Sequence, residues 1–219
     1  MPFRDRTDAG RHLAAALEKY RGADLVVLAL PRGGVQVAVE IAARFHAPLD
    51  LVLVRKIGVP FQPELAMGAV VDGADPLIVR NDDVIALADV QEAEFRRVCT
   101  RELAEIERRR KAYFGGRPRA EVRGRVAIVV DDGIATGATT RAALRAVRQR
   151  GPKSIVLAVP VAPTSTIATL RNEVDDLVCL EDYEPFGAIG AFYSDFRQLS
   201  DDDVIRALGQ YAPKAGAKQ

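Results

Sequence analysis

The sequence predicts an α/β fold: an open, mainly parallel sheet of five strands flanked by helices, with a hairpin set into it. Three observations carry that expectation. Short apolar runs recur without polar alternation, amphipathic helical stretches lie between them, and strand alternates with helix as right-handed crossovers require. The first run, "DLVVLAL" (24–30), lies between helical stretches at 8–20 and 34–45, and "LDLVLV" (49–54) is the second. "RVAIVV" (125–130), "SIVLAVPV" (154–161) and "DDLVCL" (175–180) complete the five, separated by helical stretches at 138–150 and 163–171. Thr139 or a neighbour is placed to cap the former helix, and Pro163 with Thr164 to open the latter.

Two segments break the alternation. "LAMGAVVDGADPLIVR" (65–80) reads as a hairpin turning at "DGADP". Residues 82–113 then read as one long charged helix, with Glu92–Arg96, Glu105–Arg109 and Glu107–Lys111 at the favourable i,i+4 spacing. Its polar surface is either a solvated face or a dimer contact. Residues 114–124 return the chain to the sheet, and the tail "APKAGAKQ" is expected to fray.

A length of 219 residues suits one substantial core, so a single domain over 1–219 is expected. Lys plus Arg number 31 against 30 Asp plus Glu, which leaves no global field to attract nucleic acid or a membrane surface. "MPFRDRTDAG" lacks the apolar core of a secretory signal and no apolar run reaches membrane-spanning length, so the cytoplasm is the expected location. Cys99 and Cys179 stand in unlike contexts and predict no disulfide. With His12 and His46 the only histidines, triad and His-rich zinc chemistry are disfavoured.

Ligands of open parallel sheets bind beyond the carboxyl ends of the strands. Three strand ends here carry unusual chemistry. "VVDDGIATGATT" (129–140) places Asp131 and Asp132 at a strand end, before a loop of small and hydroxylated residues that opens a helix. The unpaired N–H groups and positive dipole of that helix suit a phosphate, and Thr136 and Thr139 add hydroxyls. Two carboxylates beside a phosphate cradle are consistent if the ligand also brings hydroxyls and a divalent cation, as a phosphorylated sugar with Mg2+ does. "LPRGGV" (30–35) lets backbone approach a ligand and offers the Arg32 fork, while also being a common turn. "RKIGVPFQPE" sets Arg55 and Lys56 at the end of the second strand, facing an anion or solvent, with Gly58, Pro60 and Pro63 suggesting an irregular lid. No G-x-x-x-x-G-K-[ST] and no G-x-G-x-x-G is present, which disfavours P-loop and dinucleotide chemistry.

"VAIVVDDGIATGATT" closely resembles the phosphoribosyl pyrophosphate (PRPP) motif of type I phosphoribosyltransferases, and "LPRGGV" matches that family's pyrophosphate loop in order and position. The segments "FRDRTDAGRHLAAAL", "LVRKIGVPFQPELAMGAV" and "GAIGAFYSDF" are similar to a bacterial branch of the family. The resemblance implies the type I phosphoribosyltransferase fold, with a flap and hairpin at about 55–80 and a small hood at about 181–197. It also implies roles. Asp131 and Asp132 would take the ribose hydroxyls and Mg2+, directly or through water. Ala135, Thr136, Gly137, Ala138 and Thr139 would hold the 5-phosphate. Arg32, Gly33 and Gly34 would hold pyrophosphate, often beside a non-proline cis peptide, with Arg55 and Lys56 as basic neighbours. Residues 57–70 would form a mobile flap, in whose first half Glu64 is the one acid and joins the candidate catalytic groups.

The implied reaction is Mg2+-dependent transfer of phosphoribose from PRPP to a nitrogenous acceptor such as a nucleobase, by a homodimer. The alternative is a PRPP-sensing regulator with the same fold. Ala135 stands where the family's 6-oxopurine enzymes carry an acid, so adenine-, orotate- or uracil-like arrangements fit better. In the hood, Tyr183, Phe186, Phe192 and Tyr193 would either stack on the acceptor ring or cover the last strand.

Overall fold

Strands buried on both faces need no polar alternation, and the computed structural model, which describes residues 3–73 and 76–211 without the side chain of Gln210, shows that burial directly. The elements in chain order are α1 (Arg6–Ala16), β1 (Leu25–Ala29), α2 (Gly33–Phe45), β2 (Leu49–Leu51), β3 (Val54–Val59), β4 (Gln62–Val71), β5 (Leu77–Arg80), α3 (Asp82–Leu87), α4 (Glu92–Phe114), β6 (Val126–Val130), α5 (Ala138–Gln149), β7 (Ser154–Pro163), α6 (Thr164–Leu170), β8 (Asp176–Tyr183) and α7 (Asp201–Gln210). Five strands form one parallel sheet in the order β2-β1-β6-β7-β8. Leu25, Val27 and Ala29 of β1 pack with Leu13, Leu17, Ile41, Val204 and Leu208, so α1, α2 and α7 cover one face. Val26 and Leu28 turn the other way, to Ala142, Leu144, Val147 and Ile167 of α5 and α6. Each such large side chain, fully buried, contributes about 1.5–3 kcal/mol.

The topology places the site. From β1 the chain crosses through α2 to β2 on one side, and later returns to β6 on the other side of β1. The strand order therefore reverses between β1 and β6, opening a crevice beyond their carboxyl ends. "LPRGGV" follows β1 and Asp131-Asp132 follow β6, so the two loops meet there.

The structure corrects several expectations. The run 49–54 is not one strand: β2 stops at Leu51, and β3 starts at Val54 in a second, antiparallel sheet ordered β3-β4-β5. Arg55 and Lys56 thus lie within a ribbon strand rather than at the carboxyl end of a sheet strand, and the segment of Gly58, Pro60 and Pro63, expected to be irregular, lies in the β3–β4 hairpin with register shifts at Ile57–Gly58 and Gly58–Val59. The long helix at about 82–113 is two helices. Asn81 caps α3, Asp89 takes a left-handed φ of 48°, and Gln91 with Glu94 forms a capping box that starts α4. Periodicity missed the break because Asp89, between Ala88 and Val90, reads as one more polar position in a helical run of mixed apolar and charged residues. The three expected ion pairs of α4 form at 2.9, 2.7 and 3.7 Å. The opposite face of α4 buries Phe95, Val98 and Ile106 against Ile57, Met67 and Val70 of the ribbon. Helix α7, capped by Ser200, was not expected from the sequence. The tail at 212–219 lies outside the described residues.

A charged network fastens this ribbon to the main sheet. Fully buried Asp50 on β2 accepts from Leu51 N, Ala120 N and Arg119 Nε at 2.8, 2.9 and 3.1 Å. Arg119 also donates to Leu51 O at 2.7 Å and pairs with Asp72, just past β4.

Candidate active site

Small residues let the two loops of the crevice touch. A Cβ on Gly33 would stand 1.8 Å from Asp132 Oδ2, and one on Gly34 would stand 2.7 Å from Val130 O and 2.9 Å from Asp131 Cα. The loop after β1 therefore lies directly on the acid pair, which only glycine permits. The Pro31–Arg32 peptide is cis. Helix α2 begins at Gly33 without a side-chain cap; Gly34 N and Val35 N donate back to Leu30 O and Arg32 O at 3.1 and 3.2 Å, so the helix offers the crevice its positive dipole end rather than a set of free N–H groups.

Helix α5 begins the same way. Its N-cap is Gly137, with φ +75° and no side-chain cap. Thr139, expected as a cap, lies in the first turn instead; Thr136 and Thr139 are exposed. Two helix N-termini without side-chain caps thus flank Asp131 and Asp132, and their dipoles favour negative charge there. Gly137 has a second constraint: a Cβ there would lie 3.1 Å from Thr166 Cγ2. Replacing Gly137 by Ala is expected to cost about 1–2 kcal/mol from the left-handed backbone. Thermal melts would then fall by about 4 °C, and added PRPP should raise the melting temperature of the variant less than that of wild type.

The two acids differ in surroundings. The carboxyl of Asp131 is held well above the usual carboxylate range, first by burial and then by the charge of Asp132. Its Oδ1 accepts from Asp132 N at 2.8 Å. Asp132 instead pairs with Arg6 on α1: Nε to Oδ2 is 2.7 Å, with side-chain exposures of 7% and 13%. Sequence reasoning did not single out Arg6. The only signal was its place in "FRDRTDAG", since nothing in that segment shows that α1 reaches β6.

Aromatic groups of the hood hold this corner. Tyr193 is buried and its hydroxyl donates to Asp132 O at 2.6 Å, with burial raising the phenol so that it remains a donor. Phe196 stacks on Tyr193 at 4.9 Å and lies under the Arg6 guanidinium, 3.8 Å from the ring centroid. Phe192 stacks with Tyr183 at 5.0 Å and with Phe186 at 5.1 Å. Phe3 joins the hood through its N–H to Phe192 O at 2.6 Å, so both ends of the chain build it. A cavity of about 250 Å3 between hood and loop is lined by Arg6, Arg32, Gly33, Phe196, Gln198 and Leu199. Arg32 reaches Leu199 O from Nη1 at 2.6 Å and keeps its other donors.

The structure brings Arg32, Gly33, Gly34, Asp131 and Asp132 together, with residues 135–139 adjoining them. Arg55 and Lys56 pair elsewhere. Arg55 binds buried Glu102 of α4 at 2.7 Å, and Lys56 binds exposed Glu64 at 3.0 Å. These four residues line a separate cavity of about 600 Å3, with Arg97 and Arg101, between ribbon and α4.

The site is thus an acid pair at a switch point, flanked by two helix N-termini and a glycine-dependent loop contact. The chain belongs to the phosphoribosyl transferase domain family, whose sequence pattern matches residues 4–197. Relatives from two strains of Mycobacterium tuberculosis, H37Rv and CDC 1551, carry the words phosphoribosyl transferase in their names. Each is 47% identical over 206 residues, covering 94% of this chain and 46% of the relative, so the chain spans about half their length. The crystal structure of TT1426 from Thermus thermophilus superposes with a TM-score of 0.82 at 41% identity, covering 97% of this chain and 100% of that one. Among the described residues no helix is long and apolar enough to cross a membrane.

Proposed function

We propose that this chain, as a cytoplasmic homodimer, transfers the 5-phosphoribosyl group of Mg2+-PRPP to a nitrogenous acceptor, a nucleobase or similar ring, and releases pyrophosphate. The observation that carries the reading is the pair of uncapped helix N-termini on either side of Asp131 and Asp132. The α5 end, with Thr136 and Thr139, suits the 5-phosphate; the α2 end, with Arg32, Gly33 and Gly34, suits pyrophosphate. Asp131 and Asp132 suit the ribose hydroxyls, as acceptors.

The acid pair also fits Mg2+. Asp131 is a half-buried carboxyl whose ionised form is disfavoured by desolvation and by its neighbour's charge, which a cation would offset. Among the described residues no cluster of three or more His, Cys, Asp or Glu could hold a metal, which suits an ion bound by one or two carboxylates and substrate oxygens. Bound there, Mg2+ supplies charge stabilisation to the departing pyrophosphate. The chain's own groups do the rest. Arg32 and the positive end of α2 take up negative charge growing on the leaving group, and the carboxylates orient the ribose and tolerate the positive charge of an oxocarbenium-like state. The ribbon, carrying Arg55, Lys56 and Glu64, would act as the flap that closes over the crevice and excludes water, with Arg55 and Lys56 leaving Glu102 and Glu64 as it moves.

That pairing also favours a second reading, a PRPP-sensing regulator, because the basic groups best suited to assist departure are held by carboxylates. One experiment separates the two. The protein is incubated with Mg2+-PRPP and a pool of purine and pyrimidine bases, and new nucleoside monophosphates are sought by mass. The expected result is a product absent from an Asp131→Asn/Asp132→Asn blank. PRPP that is bound but unconsumed would favour sensing, and PRPP that does not bind would overturn both.

A further inference from the structure

We infer that Arg6 is a positioning residue for PRPP recognition: it fixes the Asp132 carboxylate so that one oxygen stays free for the ribose, and ties that acid to the hood. The inference rests on the PRPP reading above. Arg6 is 6% exposed, on a helix remote in sequence from the acids, and its guanidinium is used three ways at once. Nε donates to Asp132 Oδ2 at 2.7 Å, Nη1 donates to Arg197 O at 3.0 Å, and the planar face lies 3.8 Å from the Phe196 centroid. A planar fork can satisfy these together, whereas a lysine ammonium can satisfy one.

The consequence concerns Asp132. Its Oδ2 is engaged by Arg6 and lies against Gly33, where a Cβ would meet it at 1.8 Å. Its backbone carbonyl is held by Tyr193 at 2.6 Å. Side chain and main chain are thus both anchored before any ligand arrives, with Oδ1 the remaining acceptor. An aspartate held this way meets a ribose hydroxyl without first losing rotamer freedom.

The test compares PRPP, which carries ribose, with inorganic pyrophosphate, which does not. Binding of each in the presence of Mg2+ is measured by calorimetry for wild type, Arg6→Ala and Arg6→Lys, with Arg11→Ala as control. Arg11 lies on the same helix with its side chain 61% exposed and pairs with Glu40. Arg6→Ala is expected to weaken PRPP about tenfold or more, the value of a charge-assisted hydrogen bond, and pyrophosphate by less than about threefold. Arg6→Lys should fall between, and ethylguanidinium should restore part of the PRPP affinity of Arg6→Ala. Equal losses for both ligands would overturn the inference in favour of a direct pyrophosphate contact. An unchanged PRPP affinity, or a loss that follows unfolding and resists ethylguanidinium, would overturn it as well. If Arg6→Ala does not fold, Arg6→Lys decides by the same comparison. Wild type that fails to bind PRPP sinks the function reading and this inference together, while wild-type binding with unaffected variants sinks this inference alone.

Discussion

Asp131→Asn and Asp132→Asn are expected to abolish function alike but to move stability in opposite directions. Each should weaken PRPP binding by about 100-fold or more, the scale seen when a group aimed at developing charge is removed. Without ligand, Asp131→Asn should stabilise the fold by about 1 kcal/mol, because the native acid suffers from burial and from its neighbour's charge. The sign with pH follows. A carboxyl whose folded pKa is raised binds its proton more tightly in the native state, so wild-type stability falls as pH climbs above the unfolded value near 4. The gain from asparagine should therefore be largest at neutral pH and shrink towards pH 4. Asp132→Asn removes the counter-charge of buried Arg6 and should cost about 1–3 kcal/mol. Thermal melts of the two single variants at pH 4 and 7 check both signs, and equal shifts would mean that the acids are not distinguished by Arg6.

Asp50→Ala is expected to give the largest loss of stability of any single change outside the site, about 3 kcal/mol. Asp50 is wholly buried and accepts three hydrogen bonds, from two backbone N–H groups and from Arg119. Removing it leaves Leu51 N and Ala120 N without that acceptor and Arg119 with Asp72 and Leu51 O. Arg119 keeps some solvent contact, with its side chain 32% exposed, which holds the loss below that of a fully enclosed pair. Urea unfolding should show a lower midpoint at an unchanged slope. A lowered slope would mean that the ribbon of β3, β4 and β5 detaches before the main sheet unfolds. Asp50→Asn should cost less, since its amide oxygen still accepts from a backbone N–H.

Local chemistry determined a large part of this protein. Strands β1 and β6 were legible because burial on both faces leaves only Val, Ile, Leu and Ala, β7 and the half-buried edge strand β8 because each carries an apolar run, and "VVDDGIATGATT" was legible because acids, glycines and hydroxyls cluster within one loop. The helices between the strands were legible from their period. Elements whose identity depends on distant partners were not. Val54 reads as the last residue of β2 and the segment after it as a lid until pairing with β4 places Val54–Val59 in another sheet, and the break at Asp89 is invisible to a helical pattern that runs through it. The role of Arg6 was equally hidden, because 126 residues separate it from Asp132 and neither segment names the other.

The sequence by itself determined the strand core, the acid pair and the two glycine loops, since each depends on contacts within a few residues of chain. Only the tertiary structure decided that the loops after β1 and β6 share one crevice, that Arg6 and Tyr193 anchor Asp132, and that Arg55 and Lys56 pair with Glu102 and Glu64. Those contacts depend on strand order and on which helix covers which face. These are set by the packing of the whole chain rather than by the propensity of any segment.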